Sequence, residues 1–436
     1  MLDRLSGIIE KIKYINRKIL SIDEKQLKSI ELEWEISKQL ARNEKLLLET
    51  KQEYQEYKEQ FQYVNLEYLK IPRNMQKNYL LVGFYGAINL GDELMLQKLY
   101  SDFSDIKNNL YVMMCDNTDL DVFKYPGMNI IHYPKTKFDY NYLADIFDGV
   151  IFGGGAIIDD DCYQKKDSYQ YDLGRIFVEL SLAFLSKEKK VHAIGVSTNQ
   201  EIVNNEYKEK LNYIINRSTS FSVRDQYSQK VLETIGKCRI SLIQDVVLTH
   251  TFNYVPEVHD GKERIGIIWI CQDNLRDNLI KLIEHINTLY HSNEVEIYLI
   301  PFYNYRNCDI NFYKNICEFL RYDNIHVSEM SYSFREISER VNECNLIISM
   351  RYHGALLGLM HGRYTVALLY NEHKHYYNKM TDLFEKYRCG ENLFTSIEQL
   401  KSIFPVSADK KKKENYIQFN NEAYNSIIKN IIKEVM

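Results

Sequence analysis

The strongest constraint on this chain is a phrase that it repeats. A short apolar run breaks at its carboxyl end into glycine or charge, and a stretch of helical period follows. YLLVGFYG (79–86) leads into GDELMLQKLYSDF (91–103), and LYVMMC (110–115) follows. DGVIFGGG (148–155) precedes a long helical stretch near 168–186, and KKVHAIGVS (189–197) comes next, with the alternation running on through Asp245. Such alternation is the βαβ pattern of a doubly wound parallel sheet. Residues 250–263 contain Pro256 and polar side chains and read as a linker. The phrase then restarts with RIGIIWIC (264–271), a helix near 274–291, EVEIYLIPF (294–302), a helix near 309–321, NLIISM (345–350), a further helix and TVALLY (365–370). The expected fold class is therefore α/β, with two Rossmann-like domains facing a cleft. A length of 436 residues accommodates this.

Residues 1–71 have a different texture. They hold one glycine and no proline, cysteine or histidine. Leu5, Ile8, Ile12, Ile15, Ile19 and Ile22 recur at 3-4-3-4-3 spacing, and Leu47, Tyr54, Tyr57, Phe61, Val64, Tyr68 and Ile71 form a second seam that Pro72 ends. Two helices in a hairpin or coiled coil are expected, packing on their own domain or on a copy of the chain as a homo-oligomer. Residues 1–20 also carry five basic and two acidic side chains on an amphipathic pattern, which suits a peripheral contact with an anionic membrane. The expected boundaries are 1–75 for this helical extension, 76–255 and 256–405 for the two α/β domains, and 406–436 for a linker and a closing helix of roughly 20 residues by its periodicity.

Composition removes several classes. With 45% hydrophobic and 26% charged residues the chain is not disordered throughout. A net charge of −5 gives no bulk electrostatic reason to bind nucleic acid. No run approaches ~18 apolar residues, and the start lacks the continuous apolar core of a signal peptide. Eight cysteines without a CxxC pair fit a reducing cytosol.

Five stretches can carry chemistry. Gly83–Glu93 lies between strand and helix, with Gly86 and Gly91 permitting a tight turn and Asn89 and Asp92 at the helix start, where side chains cap and ligands dock. Gly153, Gly154 and Gly155 follow an apolar strand and let backbone meet a ligand; Asp159, Asp160 and Asp161 then suit a divalent metal, a ligand hydroxyl or merely solvent. Ser222-Val223-Arg224-Asp225 puts an arginine at a strand's carboxyl end, for a ligand or for a structural pair with the aspartate. In Ser349–Gly354, Arg351 and His353 sit two apart at a turn and can face one cleft. Tyr370–Lys374 follows the next strand, and Lys374 reaches the same sheet edge.

In this order the five stretches resemble the polysaccharide pyruvyl transferase family: N-x-G-D at Asn89–Asp92, a glycine run with an acid at Gly153–Asp161, S-x-R-D at Ser222–Asp225, R-x-H at Arg351–His353, and a Y-x-x-K-like segment at Tyr370–Lys374. The resemblance spans residues 79–386 and implies a GT-B-type arrangement. It further implies transfer of the enolpyruvyl carbons of phosphoenolpyruvate onto two sugar hydroxyls as a ketal during cell-surface polysaccharide synthesis, with phosphoenolpyruvate as co-substrate and no cofactor or metal. By the same resemblance His353 and Arg351 are catalytic. Arg224, Ser222, Arg351 and Lys374 bind the donor, while Asn89, Asp92, Gly154, Gly155 and Asp159 face a sugar or lipid-linked acceptor. The implied location is cytoplasmic. The chain departs from the family in carrying Ala87-Ile88 where a small residue or glycine is frequent, and Glu372-His373 where a proline is common. Two other readings stand beside this one: a nucleotide-sugar glycosyltransferase of the same shape, and a non-catalytic scaffold in polysaccharide assembly.

Overall fold

A computed structural model describes residues 10–15, 37–40, 42, 71–72, 77–115, 127–134, 137–160, 163, 173–250, 261–291, 293–303, 308–369, 374–406 and 421–436. The chain divides into two compact units, 1–64 and 65–436. In the first, residues 10–15 and 37–40 are helical. Of the expected first seam only Ile12 and Ile15 are described, and each is about half exposed, at 52% and 53%. The rest of both seams, apart from Ile71, lies outside the described residues.

The second unit contains two wholly parallel sheets. In the first, β1 (Tyr79–Val82), β2 (Leu110–Met114), β3 (Asn129–His132), β4 (Gly149–Ile158), β5 (Lys190–Thr198), β6 (Ser220–Val223) and β7 (Ser241–Leu242) stand in the order β3-β2-β1-β4-β5-β6-β7. The second holds β8 (Glu263–Ile268), β9 (Val295–Leu299), β10 (Ile325–Val327), β11 (Leu346–Ser349), β12 (Tyr364–Leu368) and β13 (Leu393–Phe394), in the order β10-β9-β8-β11-β12-β13. The order reverses between β1 and β4 in one sheet, registered Tyr79 to Gly149, and between β8 and β11 in the other, registered Ile268 to Ser349. Reversal leaves a crevice at the carboxyl ends of those strands, where such sheets bind ligands. Strands β1 and β11 are buried at every position because helices cover both faces, which is why YLLV and LIIS carry no polar alternation.

The helices that matter for the crevice are α1 (Leu90–Asp102), α2 (Lys137–Ile146), α3 (Leu173–Ser186), α4 (Asn205–Arg217) and α5 (Gln226–Gly236) in the first half. In the second half they are α6 (Arg276–Leu289), α7 (Cys308–Leu320), α8 (Phe334–Glu343), α9 (Tyr352–Met360), α10 (Lys374–Lys386), α11 (Ile397–Lys401) and α12 (Glu422–Val435). Three apolar clusters result. One covers the outer face of each sheet, and one is shared, joining Leu94, Leu96 and Ile151 of the first half to Ile268, Ile347 and Leu357 of the second. The closing helix α12 has 14 residues, shorter than its periodicity suggested, with residues 407–420 outside the described set. It returns to the first half: Tyr424 donates to Asp102, and Lys77 Nζ donates to the Glu434 carbonyl at 2.6 Å. No helix among the described residues is long and apolar enough to cross a membrane.

Several elements went unread in the sequence, α4, α8, α10, α11, β7 and β13 among them. Strand β3 (NIIH) and helix α2 follow Pro126-Gly127, where short runs blur into turn residues, and β10 has three residues. The glycine run was placed after a strand but lies inside β4, which continues to Ile158.

Candidate active site

A cavity of about 820 Å³ opens at the carboxyl ends of both sheets, against both reversal points. The first sheet contributes the turn after β1 with Phe84, Asn89 and Asp92, the end of β4 with Ala156, Ile157 and Asp159, then Asn199 and Arg224. The second contributes Ile270, Cys271 and Gln272 after β8, Phe302 and Tyr303 after β9, and Arg351–His353 after β11. Leu173 and Gly174 from α3, Cys308 and Asp309 from α7 and Lys379 from α10 complete the lining.

The turn after β1 is tightly built. Gly86 has φ +77° and Ile88 φ +58°. A β-branched residue in the left-handed region is costly, so the departure at Ile88 is a strained position beside the cavity. Glu93, wholly buried, accepts from Gly86 N at 2.8 Å and ties the turn to α1. Asn89 stands at the N-cap in extended conformation, but its side chain makes no cap bond. Its backbone bridges to Tyr303, and Leu90 N donates to the Phe302 carbonyl at 2.8 Å, so this turn is fastened to the second half. Gly91 is required by contact: a Cβ there would lie 1.8 Å from His353 Nδ1. The N-x-G-D glycine thus seats the histidine of R-x-H, some 260 residues later.

His353 Nε2 lies 3.2 Å from Arg224 Nη1 and 3.6 Å from Asp245 Oδ2. Arg224 Nη1 also donates to Asp245 Oδ2 at 2.8 Å, and its guanidinium lies 4.8 Å from the Tyr352 ring centroid. A guanidinium only donates, so beside Arg224 the imidazole Nε2 accepts and is unprotonated; a proton at Nε2 turns its preference to Asp245. The same atom can therefore give or take a proton with a partner at hand in either state. Burial pushes the Asp245 carboxyl up, but Arg224 and His353 outweigh it and hold the group well below the usual carboxylate range. Arg351 is set by two contacts: Nε donates to the Trp269 carbonyl at 3.1 Å, and Nη2 reaches Asp309 Oδ1 and Oδ2 at 3.0 and 3.2 Å. Asp309 in turn accepts from Phe302 N and Tyr303 N at 3.1 and 2.8 Å.

Two further groups are shifted towards neutrality of charge. Burial, aided by Arg224, lowers Lys379 to about 7. It donates to Asn199 Oδ1, and Asn199 Nδ2 donates to Asp159 Oδ2 at 3.2 Å, a chain that crosses from second half to first. Burial raises Asp92 to about 6 against the opposing pull of His353, Arg224 and Lys379. Titratable groups shifted towards neutral pH in one cleft mark a site of proton chemistry. Among the described residues no group of three or more His, Cys, Asp or Glu is placed to hold a metal ion.

A family model for polysaccharide pyruvyl transferases matches residues 89–372, from the turn that seats His353 to the segment after β12. The chain belongs to the polysaccharide pyruvyl transferase family. No curated protein matches it in sequence. Among solved structures it is similar to UDP-GlcNAc 2-epimerase from Methanocaldococcus jannaschii, with TM-score 0.53, 13% identity, and 82% of this chain and 99% of that one covered. It is likewise similar to S. aureus MnaA in a co-structure with UDP (TM-score 0.53, 10% identity, 83% and 97% covered). The UDP-GlcNAc 2-epimerase from Neisseria meningitidis, bound to UDP-GlcNAc, gives TM-score 0.51 at 12% identity, with 81% and 100% covered. Likeness at this identity speaks for the fold: two parallel α/β sheets in the GT-B-type arrangement that the resemblance implied.

For this pyruvyl transferase family member the structure sorts the expected site residues. Asn89, Asp92, Asp159, Arg224, Arg351 and His353 all line one cavity. Ser222 does not reach it. Its buried hydroxyl accepts from Gly195 N at 3.1 Å and donates to the Ala193 carbonyl at 3.0 Å, stitching β6 to β5. Gly154 and Gly155 do not offer backbone to a ligand either: both have positive φ, and a Cβ would meet Met95 Sδ at 2.5 Å and Asp92 Oδ1 at 3.1 Å. They make room for α1. Asp160 is used by backbone, accepting from Val203 N and Asn204 N, and Asp161 lies outside the described residues. Tyr370 and the side chain of Lys374 also lie outside them.

Reading the sequence missed Asp245, Asp309, Asn199, Tyr303 and Lys379. Only Lys379 left a trace. It sits beside Met380 and four before Leu383, on the face of α10 that is buried, and a lysine on an apolar stripe needs a reason.

Proposed function

We propose that this protein transfers the pyruvyl group of phosphoenolpyruvate to two hydroxyls of a sugar, forming a ketal, in the assembly of a cell-surface polysaccharide. The observation that carries the reading is the meeting of Arg224, His353 and Arg351 at one cavity, with Arg224 and His353 coming from different sheets and lying 3.2 Å apart. The donor carries a phosphate and a carboxylate, and planar guanidinium groups suit both. Lys379 lines the same cavity and adds a positive charge when protonated. The reaction needs a proton at the donor's methylene carbon, and His353, with a partner for either protonation state, suits that transfer near neutral pH. Phe84, Ile157, Leu173 and Tyr303 give the cavity the apolar faces on which a sugar ring can lie.

The test is a pair of titrations followed by turnover. The protein is expected to bind phosphoenolpyruvate by calorimetry and to release inorganic phosphate from it with at least one of a panel of p-nitrophenyl glycosides. Heat of binding with UDP-GlcNAc and none with phosphoenolpyruvate would instead favour a nucleotide-sugar enzyme of the same fold.

A further inference from the structure

Of the carboxylates at this cavity, Asp92 is the one with nothing to hold. Asp159 accepts from Asn199, Asp309 from Arg351 and two backbone N–H groups, and Asp245, behind the wall, from Arg224. Asp92 is only 7% exposed, yet among the described residues its carboxylate accepts no hydrogen bond and enters no ion pair, and it lines the cavity. Asp92 stands in the first turn of α1, where a carboxylate favours the helix dipole, but among the described residues it accepts no hydrogen bond from the helix's free N–H groups. The surroundings are shaped to leave it bare: a side chain at Gly155 would press on Oδ1 at 3.1 Å. A carboxylate that faces a cavity with no protein donor is open to a donor on a ligand.

The geometry points to Asp92 as the general base that takes the proton of the acceptor hydroxyl, with His353 acting on the donor's methylene carbon. This rests on the pyruvyl-transfer reading above. Protonation of C3 from His353 turns the methylene into a methyl group and leaves C2 electron-poor. The first acceptor oxygen bonds to C2 as its proton passes to Asp92. The C2–O bond to phosphate then breaks, the electron pair leaving with phosphate, and the second hydroxyl oxygen bonds to C2. Of the two hydroxyl protons, the first restores His353 by way of Asp92 and the second leaves on phosphate, so atoms and charge balance. His353 becomes a base only after it has given its proton to C3, whereas a carboxylate at Asp92 is ready to take the hydroxyl proton from the start. Asp159 already accepts from Asn199 Nδ2, so its Oδ2 is engaged. Burial raises Asp92 most; against it pull His353 at the start of α9, Arg224 at the end of β6 and Lys379 on α10, while its helix neighbour Glu93 raises it further. Their balance leaves a carboxylate basic enough for the task at neutral pH.

The full chain and its Asp92→Asn variant decide the matter. The variant is expected to bind phosphoenolpyruvate at least as tightly as wild type, while phosphate release with a p-nitrophenyl glycoside falls about 10²- to 10⁴-fold in kcat. Wild type is expected to lose activity as the pH falls through about 6, and the variant's residual rate to lack that acidic limb. A kcat within threefold of wild type with that limb intact would overturn the assignment and leave the pyruvyl-transfer reading standing. Wild type that fails to bind phosphoenolpyruvate would overturn both. Donor binding gives a second reading that needs no acceptor. Rising pH ionises Asp92 and should weaken wild-type binding of the anionic donor more than it weakens binding by the variant; identical pH dependence in the two would place Asp92 away from the donor and overturn the inference.

Discussion

At the scale of single residues, the site depends on contacts that leave no tolerance. Gly91 is the clearest. A methyl group at 1.8 Å from His353 Nδ1 cannot coexist with the imidazole where it stands, so the ring must swing away from Arg224 and Asp245. Gly91→Ala is therefore expected to cut phosphate release about 100-fold, since displacement by an ångström is enough for such a loss, while circular dichroism shows a folded protein. Sequence pattern marked Gly91 as a flexible turn residue. Its φ is ordinary and its need is spatial, a distinction that only the position of His353 reveals. Ser222 and the glycines of β4 show the converse. They sit inside functional-looking motifs but support the sheet and α1, because a motif marks a neighbourhood and burial decides each member's job.

At the scale of elements, α12 shows how a terminal helix becomes part of the core. Tyr424, Ile428, Ile431 and Val435 fall at 4-3-4 spacing on its buried face. Burying each contributes about 1.5–3 kcal/mol, and the sum is comparable to the net stability of a whole domain, about 5–15 kcal/mol. Removal of residues 422–436 is expected to lower the thermal midpoint by more than about 10 °C or to abolish a cooperative melt by circular dichroism. The amphipathic period made this helix readable in advance. What it packs against was not, because nothing local in its sequence distinguishes one sheet's helices from the other's. Strand β3 and helix α2 were missed for a related reason: four residues beside a Pro-Gly turn carry too little pattern to outweigh the turn.

At the scale of the whole molecule, the two sheets of the 65–436 unit are not independent. The shared apolar cluster, the Leu90–Phe302 hydrogen bond, and the His250 and Phe334 rings stacked at 3.9 Å all join one half to the other. A chain of residues 65–436 is expected to unfold in one calorimetric transition, with calorimetric and van't Hoff enthalpies in agreement; two resolved transitions would show separable halves. The sequence by itself determined the alternation of strands and helices, the two successive α/β halves, the stretches that end strands in chemistry-bearing turns, and the family. Those depend on periodicity and spacing, which are written locally. Tertiary structure alone decided that stretches more than a hundred residues apart share a cavity, that Asp245 and Asp309 set the two arginines, that Lys379 reaches the site, and that Asp92 is left without a partner. Each of those depends on which strand ends are neighbours and on how completely water is excluded between them, and both are fixed by long-range packing.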